Sequence, residues 1–129
     1  MTINEYQQLA LRTEPKLDGL ISCASVVVED DYGKFEAYVG RIIQGLMGLN
    51  GEAGECIDLL KKSLFQGHIL DRKHLVKELG DVAWYLAVSA DAIGYDLETI
   101  FKMNIDKLKT RYPEGFSAER SVERSEDDI

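Results

Sequence analysis

This sequence of 129 residues has little of several features that mark particular classes of protein. Its two cysteines, Cys23 and Cys56, are too few for the disulfide framework of a small secreted domain. Its longest apolar run, Val82 to Val88, is far too short to cross a bilayer. Its first residues lack the basic and apolar regions of a signal peptide. We therefore expect a cytoplasmic protein that has no membrane partner.

Positive charge is also scarce, since the sequence has 15 Lys and Arg residues against 23 Asp and Glu residues, which gives a net charge of −8. A protein that binds a nucleic-acid polymer needs a basic surface, so this balance argues against such a partner. A small nucleotide remains compatible with it, because a metal ion and a few local bases can outweigh the global field. The length predicts one domain with a core of its own.

Helical patterns cover most of the chain and predict an all-α bundle of about four to five helices. Thr2 and Glu5 form a capping box before a first helix, and Pro15 ends it. Further helices are predicted over about 34–65, 72–93 and 97–110. Residues 20–28 could be helix or a short β-like run, before a turn. We expect a domain over residues 1–116 and a disordered acidic tail over residues 117–129.

The predicted third helix is apolar almost all the way round between Val82 and Ala90. Such a helix must be covered on several sides, and four helices offer few elements to do so. We therefore expect dimerisation to complete the bundle, with a tetramer as a further option. Trp84 is either an interface residue or a core residue of one subunit.

A doubled acidic pair is the most informative motif, since Glu52 and Glu55, and then Glu78 and Asp81, are each spaced i, i+3. On a helix this spacing projects two carboxylates from one face. The spacing alone is also common on solvated faces. Here, however, the acids lie in line with small, apolar and aromatic residues. Carboxylates brought together in this way repel one another unless a cation lies between them, and hard oxygen ligands suit Mg²⁺ or Mn²⁺.

A basic cluster follows in the last long helix, where Asn104, Lys107 and Arg111 share one face. Such a cluster is either a solvated helix end, where cations are favoured, or a binding surface for a phosphate chain.

With these residues identified, the chain resembles the MazG-like nucleotide pyrophosphohydrolases of the all-α NTP pyrophosphatase superfamily over roughly residues 40–116. The resemblance depends on three segments, which are Gly48-Leu-Asn-Gly-Glu-Ala-Gly-Glu55, Lys77-Glu-Leu-Gly-Asp-Val-Ala-Trp-Tyr-Leu86, and Asn104-Ile-Asp-Lys107 with Arg111-Tyr-Pro113. Residues 16–39 match no part of this pattern and are candidates for base selection.

The resemblance implies a helical dimer or tetramer that hydrolyses a nucleoside triphosphate between its α- and β-phosphates. It implies Mg²⁺, or Mn²⁺, held by four acids that are also the catalytic residues: Glu52, Glu55, Glu78 and Asp81. It implies a substrate pocket formed by Tyr85, Asn104, Lys107 and Arg111. One carboxylate, more plausibly a glutamate than Asp81, would serve as general base.

Three alternatives remain. A dUTPase-like or dCTP-directed enzyme of the same superfamily would use the same acids. A non-catalytic helical interaction protein would keep the acidic cluster for structural reasons. A di-iron carboxylate bundle is disfavoured, because it needs Glu-x-x-His pairs and neither His68 nor His74 has that spacing.

Overall fold

The structure, a computed structural model, describes residues 1–17 and 24–123. Within these residues the chain forms five helices and one two-stranded sheet. In chain order the elements are α1 (Ile3–Leu11), β1 (Ser25–Asp30), β2 (Gly33–Tyr38), α2 (Val39–Phe65), α3 (Arg72–Ala92), α4 (Leu97–Arg111) and α5 (Ala118–Val122). The protein is therefore mainly helical, as expected, and no helix in the described ranges is both long enough and apolar enough to cross a membrane.

The β-hairpin corrects the all-α prediction. β1 and β2 pair antiparallel, with Val28 opposite Phe35. Consecutive valines favour an extended strand over a helix, so the β-like reading of this segment was the right one for residues 25–28. The carboxylate of Asp30 accepts hydrogen bonds from the backbone N–H groups of Tyr32 and Gly33 and so closes the turn. The second long helix consequently begins at Val39 and not near residue 34.

Helices α2 and α3 pack side by side along most of their length, and this pair is the body of the molecule. Two glycines of α2 allow the close approach. A Cβ atom at Gly45 would lie 2.4 Å from the Oγ of Ser89, and one at Gly48 would lie 2.0 Å from the ring of Tyr85. These two glycines therefore admit side chains of α3 against the backbone of α2.

Helix α1 is anchored to this pair by a buried polar side chain. The capping box of Thr2 and Glu5 is present at its start. Gln7, only 2% exposed, donates from Nε2 to the carbonyls of Ala87 and Tyr95, and its Oε1 accepts from the N–H of Leu97 at 3.0 Å. Each polar atom of the buried amide thus has a partner, which removes most of the penalty of burying it.

Trp84 belongs to the core within one chain. Its ring packs against the buried cluster of Ala10, Ala87, Ala90 and Leu97. Its Nε1 donates to the carbonyl of Ala10 at 3.1 Å and to the Oγ1 of Thr13 at 2.8 Å. Of the two interpretations offered by the sequence, the structure therefore supports the intramolecular one for this side chain.

An ion-pair network ties together the same end of the bundle. The guanidinium of Arg41, near the start of α2, contacts Glu14 at 2.7 Å and Asp91 at 2.8 Å. The two carboxylates raise the pKa of Arg41 above its usual range, although partial burial opposes them. The network joins the segment after α1 to α2 and α3.

The C-terminal part of the chain differs in part from the sequence expectation. Residues 101–110 of α4 are all exposed. Within the tail that was expected to be disordered, Ala118–Val122 forms a short helix whose first turn is capped by Ser117. Residues 124–129 lie outside the described residues, and the domain boundary near residue 116 stays a prediction.

Candidate metal site and active site

Three of the four predicted acids meet across the α2–α3 pair. Glu52 comes from the middle of α2, and Glu78 and Asp81 come from α3 one turn apart. One carboxylate oxygen of each lies within 4.8 Å of one oxygen of each of the others. Glu52 and Glu78 are half-buried, whereas Asp81 is exposed. The i, i+3 spacing on α3 thus places both of its acids on the face that packs near Glu52.

Desolvation and the neighbouring negative charges both act on Glu52 in this cluster. The pKa of Glu52 is raised, first by desolvation and then by the negative charges of Asp81, Glu78 and Glu55. A hydrogen bond between the Glu52 and Glu78 side chains raises it further. The ionised form of Glu52 is therefore less favourable than in a free glutamate, and a cation among the three carboxylates would act in the opposite direction.

Glu55 is placed differently from the other three acids. It is exposed and is not a member of the close group, although its charge contributes to the raised pKa of Glu52. On the helix it lies one turn after Glu52. The structure therefore brings Glu55 near the cluster without including it, and its role as a ligand stays a prediction.

His74 is an additional contact of the cluster. It lies one turn before Glu78 on α3, and its Nε2 is 2.8 Å from the Oε1 of Glu78. The sequence contained the signal for this contact, because the i, i+4 spacing places the two side chains on one helix face. The sequence analysis used His74 only to disfavour a di-iron site and did not predict this contact with a predicted metal ligand.

Tyr85 lies one turn beyond Asp81 along the same face of α3. Its ring covers Gly48 of α2, and it meets the ring of Trp84 edge to face at a centroid distance of 4.8 Å. The ring is thus held between a helix backbone and a side chain that is itself anchored to α1. This location, beside the acids and half-buried, agrees with the predicted pocket-lining role without testing it.

Three predicted phosphate-binding residues, Asn104, Lys107 and Arg111, lie on α4. Asn104 and Lys107 are exposed and are in a stretch of α4 that is exposed throughout. Arg111 is half-buried at the end of the helix, with its guanidinium carbon 5.8 Å from the centre of the Tyr112 ring. Within the described residues, Asn104 and Lys107 make no hydrogen bond or ion pair with the acids.

Comparison with known proteins identifies the family. A family model described as the MazG nucleotide pyrophosphohydrolase domain matches residues 43–116, which is more than half of the chain. The chain belongs to this MazG family. The match begins inside α2 and ends after α4, so it contains all four predicted acids as well as Tyr85 and the basic face of α4.

A curated relative of this MazG domain adds little about function. The chain is 42% identical over 81 residues to the Gene 37 protein of Mycobacterium phage L5, and the alignment covers 57% of this chain and 71% of that protein. No solved structure gives a significant match. Membership of the MazG family indicates a nucleotide pyrophosphohydrolase at a coarse level. Helix α1 and the hairpin lie outside the matched region.

Proposed function

We propose that this MazG protein hydrolyses nucleoside triphosphates, with deoxynucleoside triphosphates as the first candidates, between the α- and β-phosphates. The products would be the nucleoside monophosphate and pyrophosphate, and the role would be control of the nucleotide pool. The observation that carries the proposal is the group of three carboxylates at the α2–α3 interface, within the region that the family model matches.

The donors of this group fit Mg²⁺, and Mn²⁺ as a substitute. All are carboxylate oxygens, which these hard cations prefer, and Asp81 is exposed enough for a phosphate to approach. Glu52, Glu78 and Asp81 would hold the ion, with Glu55 at the edge of the site. The ion supplies charge neutralisation, polarisation of a phosphoryl oxygen and a lowered pKa for water. One of the glutamates would accept the proton of the attacking water.

The phosphate-binding residues would act in an oligomer. On α4 the exposed residues Phe101, Ile105 and Leu108 form one apolar stripe, at i, i+4 and i+7. The face of Asn104, Lys107 and Arg111 lies directly beside it. Large apolar side chains are also exposed on α2 and α3 near the acids, among them Ile57, Val76 and Leu79.

A second copy that covers these apolar surfaces is the simplest partner, because unpaired apolar patches of this kind mark interfaces. We therefore propose a homodimer, or a tetramer, in which the basic face of α4 lies at the rim of an interface. In such an assembly Lys107 and Arg111 could offset the charge of a triphosphate and of the departing pyrophosphate.

The hairpin lies at the start of α2, whereas Glu52 lies in the middle of that helix. Glu52 lies 13 residues after Val39, where α2 leaves the hairpin. At a rise of 1.5 Å per residue this is about 20 Å along the helix. Base selection by residues 16–39 stays a prediction, and residues 18–23 of that segment lie outside the described residues.

The test is a panel of nucleoside triphosphates and diphosphates with Mg²⁺, in which pyrophosphate and phosphate release are measured separately. We expect pyrophosphate from triphosphates, no turnover in the presence of a chelator, and no turnover by the Asp81→Ala variant with unchanged helix content. Strong preference for dUTP or dCTP would select the corresponding alternative within the superfamily. Absence of metal-dependent turnover across the panel would instead support the non-catalytic interaction protein.

A further inference from the structure

The contact between His74 and Glu78 connects the surface of α3 to the acidic group. Glu78 is the most enclosed partner of this contact, with a side chain 16% exposed, whereas the imidazole of His74 is 52% exposed. The Nε2 of His74 lies 2.8 Å from the Oε1 of Glu78, a normal distance for a hydrogen bond to a carboxylate. The backbone N–H of His74 separately caps the helix through Asp71, so the side chain is not needed for the cap.

Donation from Nε2 across this contact would restrict the rotation of the Glu78 carboxylate, in addition to the contact of that carboxylate with the Glu52 side chain. A glutamate has three side-chain torsions, and ordering them costs free energy whenever a ligand requires one arrangement. A donor fixed to Oε1 holds the carboxyl plane and leaves Oε2 with its lone pairs for another partner. Such contacts around metal-binding carboxylates commonly change metal affinity by about ten- to a hundredfold when they are removed.

We propose that His74 is a positioning residue for the metal site. It would orient Glu78 by donating from Nε2 to Oε1 across their 2.8 Å contact, so that the carboxylate stays turned toward Glu52 and Asp81. This inference rests on the proposed metal site. The imidazole donates through Nε2–H in one neutral tautomer as well as in the cation, so the role does not depend on its charge.

The alternative is that the imidazole itself binds the metal. The close group that could hold an ion contains Glu52, Glu78 and Asp81, and His74 is not a member of it. The substitution His74→Gln distinguishes orientation of Glu78 from direct binding of the metal by the imidazole. Its amide N–H can reach a glutamate at i+4 on a helix, which restores the hydrogen bond, but the amide is a poor substitute for an imidazole ligand.

The experiment is a titration of the metal-free protein with Mn²⁺, followed by electron paramagnetic resonance of the free ion and without any nucleotide. We expect His74→Ala to raise the Kd for Mn²⁺ by about tenfold and His74→Gln to stay within about threefold of the wild type. The matched control is His68→Ala, which removes the other histidine from an exposed position in the α2–α3 connection. Its Kd should equal that of the wild type.

A double variant tests whether His74 acts through Glu78. Adding His74→Ala to Glu78→Gln should give no further loss of Mn²⁺ affinity, because the group that it orients is no longer a carboxylate. In turnover assays, His74→Ala should raise the Mg²⁺ concentration for half-maximal activity by a similar factor, while kcat at saturating Mg²⁺ is largely retained.

The outcomes separate the inference from the proposed function. Equal losses in His74→Ala and His74→Gln would mean that the imidazole is itself a ligand, and unchanged affinity in both would mean that the pair is only a surface contact. Either result overturns the positioning role while the metal site stands. A wild-type protein that binds no Mn²⁺ overturns the metal site and the positioning role together.

Discussion

At the scale of single residues, the absence of a side chain at Gly48 leaves the space that the Tyr85 ring occupies beside the acids. The ring of Tyr85 occupies the space in which any larger residue at position 48 would place its Cβ atom. The Trp84 ring, which is hydrogen-bonded to α1, also contacts the Tyr85 ring edge to face and restricts its movement. A glycine one turn before Glu52 therefore sets both the spacing of the two helices and the position of an aromatic ring beside the acids.

Gly48→Ala is predicted to destabilise the protein by about 1–3 kcal/mol, the usual cost of overpacking a close contact. The added methyl group would approach the Tyr85 ring within 2.0 Å unless the helices separate. Urea unfolding followed by circular dichroism measures the free-energy change.

The matched controls are Gly51→Ala and Gly54→Ala in the same helix, where an added Cβ atom would have no neighbour within 4 Å. Because alanine is the better helix former, we expect each to stabilise the protein by about 0.5–1 kcal/mol. The same sign for all three variants would show that Gly48 is not a packing requirement.

At the scale of elements, the hairpin is held against the turn between α3 and α4. The Tyr95 hydroxyl donates to Oδ2 of Asp30, and the Phe35 ring lies against Gly94, where an added Cβ atom would be 3.0 Å from the ring. Gly94 also has a φ of +80°, a conformation that favours glycine. A two-stranded sheet is marginal by itself, so these contacts are needed to keep the hairpin in place.

This contact predicts a pH dependence. The Tyr95 hydrogen bond is the main cause of the lowered pKa of Asp30, with the backbone N–H of Tyr32 second. A carboxyl group whose pKa is lowered by folding stabilises the protein above its unfolded pKa, about 3.9 for aspartate. That stabilisation is lost as the pH falls through the lower pKa of the folded state.

Tyr95→Phe should therefore lower the free energy of unfolding at neutral pH. The difference in this free energy between the variant and the wild type should become smaller in acid. Urea unfolding over a series of pH values measures this, with Tyr32→Phe as the control because that side chain is 92% exposed. A difference that stays constant down to the acid limit would mean that the Tyr95 hydroxyl does not act through the ionised Asp30.

At the scale of the whole molecule, one chain leaves much apolar surface uncovered. Val88 and Ala87 of α3 are fully buried within the chain, so part of the apolar run from Val82 to Ala90 is covered without a partner. The uncovered side chains lie elsewhere, on the outer faces of α2 and α4 and near the start of α3. These exposed surfaces, and not the middle of α3, are therefore the ones that a second subunit would cover.

We predict a mass twice the 14.5 kDa of one chain, or a higher multiple, by light scattering at micromolar concentration. Ile105→Asp, in the apolar stripe of α4, should shift the protein toward the monomer, because a charge buried without a partner disfavours the interface. Met103→Asp is the control, since Met103 is similarly exposed but lies on the opposite side of the helix, beside the hairpin. A stable folded wild-type monomer would refute the prediction.

The sequence alone determined the features that depend on local spacing. Helical periodicity and end signals predicted the helices now labelled α1, α3 and α4 with small errors at their ends, and the capping box at Thr2 and Glu5 was confirmed. The segments around the i, i+3 acidic pairs predicted the MazG family, and the match over residues 43–116 confirms this prediction. These properties follow from the period of a helix, which neighbouring residues set without reference to the rest of the chain.

The tertiary structure decided what depends on contacts between distant segments. It paired residues 25–30 with 33–38, so part of a predicted helix became a strand whose contacts lie against the α3–α4 turn. It placed Glu52 with Glu78 and Asp81 but left Glu55 outside their close group, and within the described residues it shows no hydrogen bond or ion pair between the acids and Asn104 or Lys107. Helical spacing shows which side chains share a face, but the packing of one helix on another decides which faces meet.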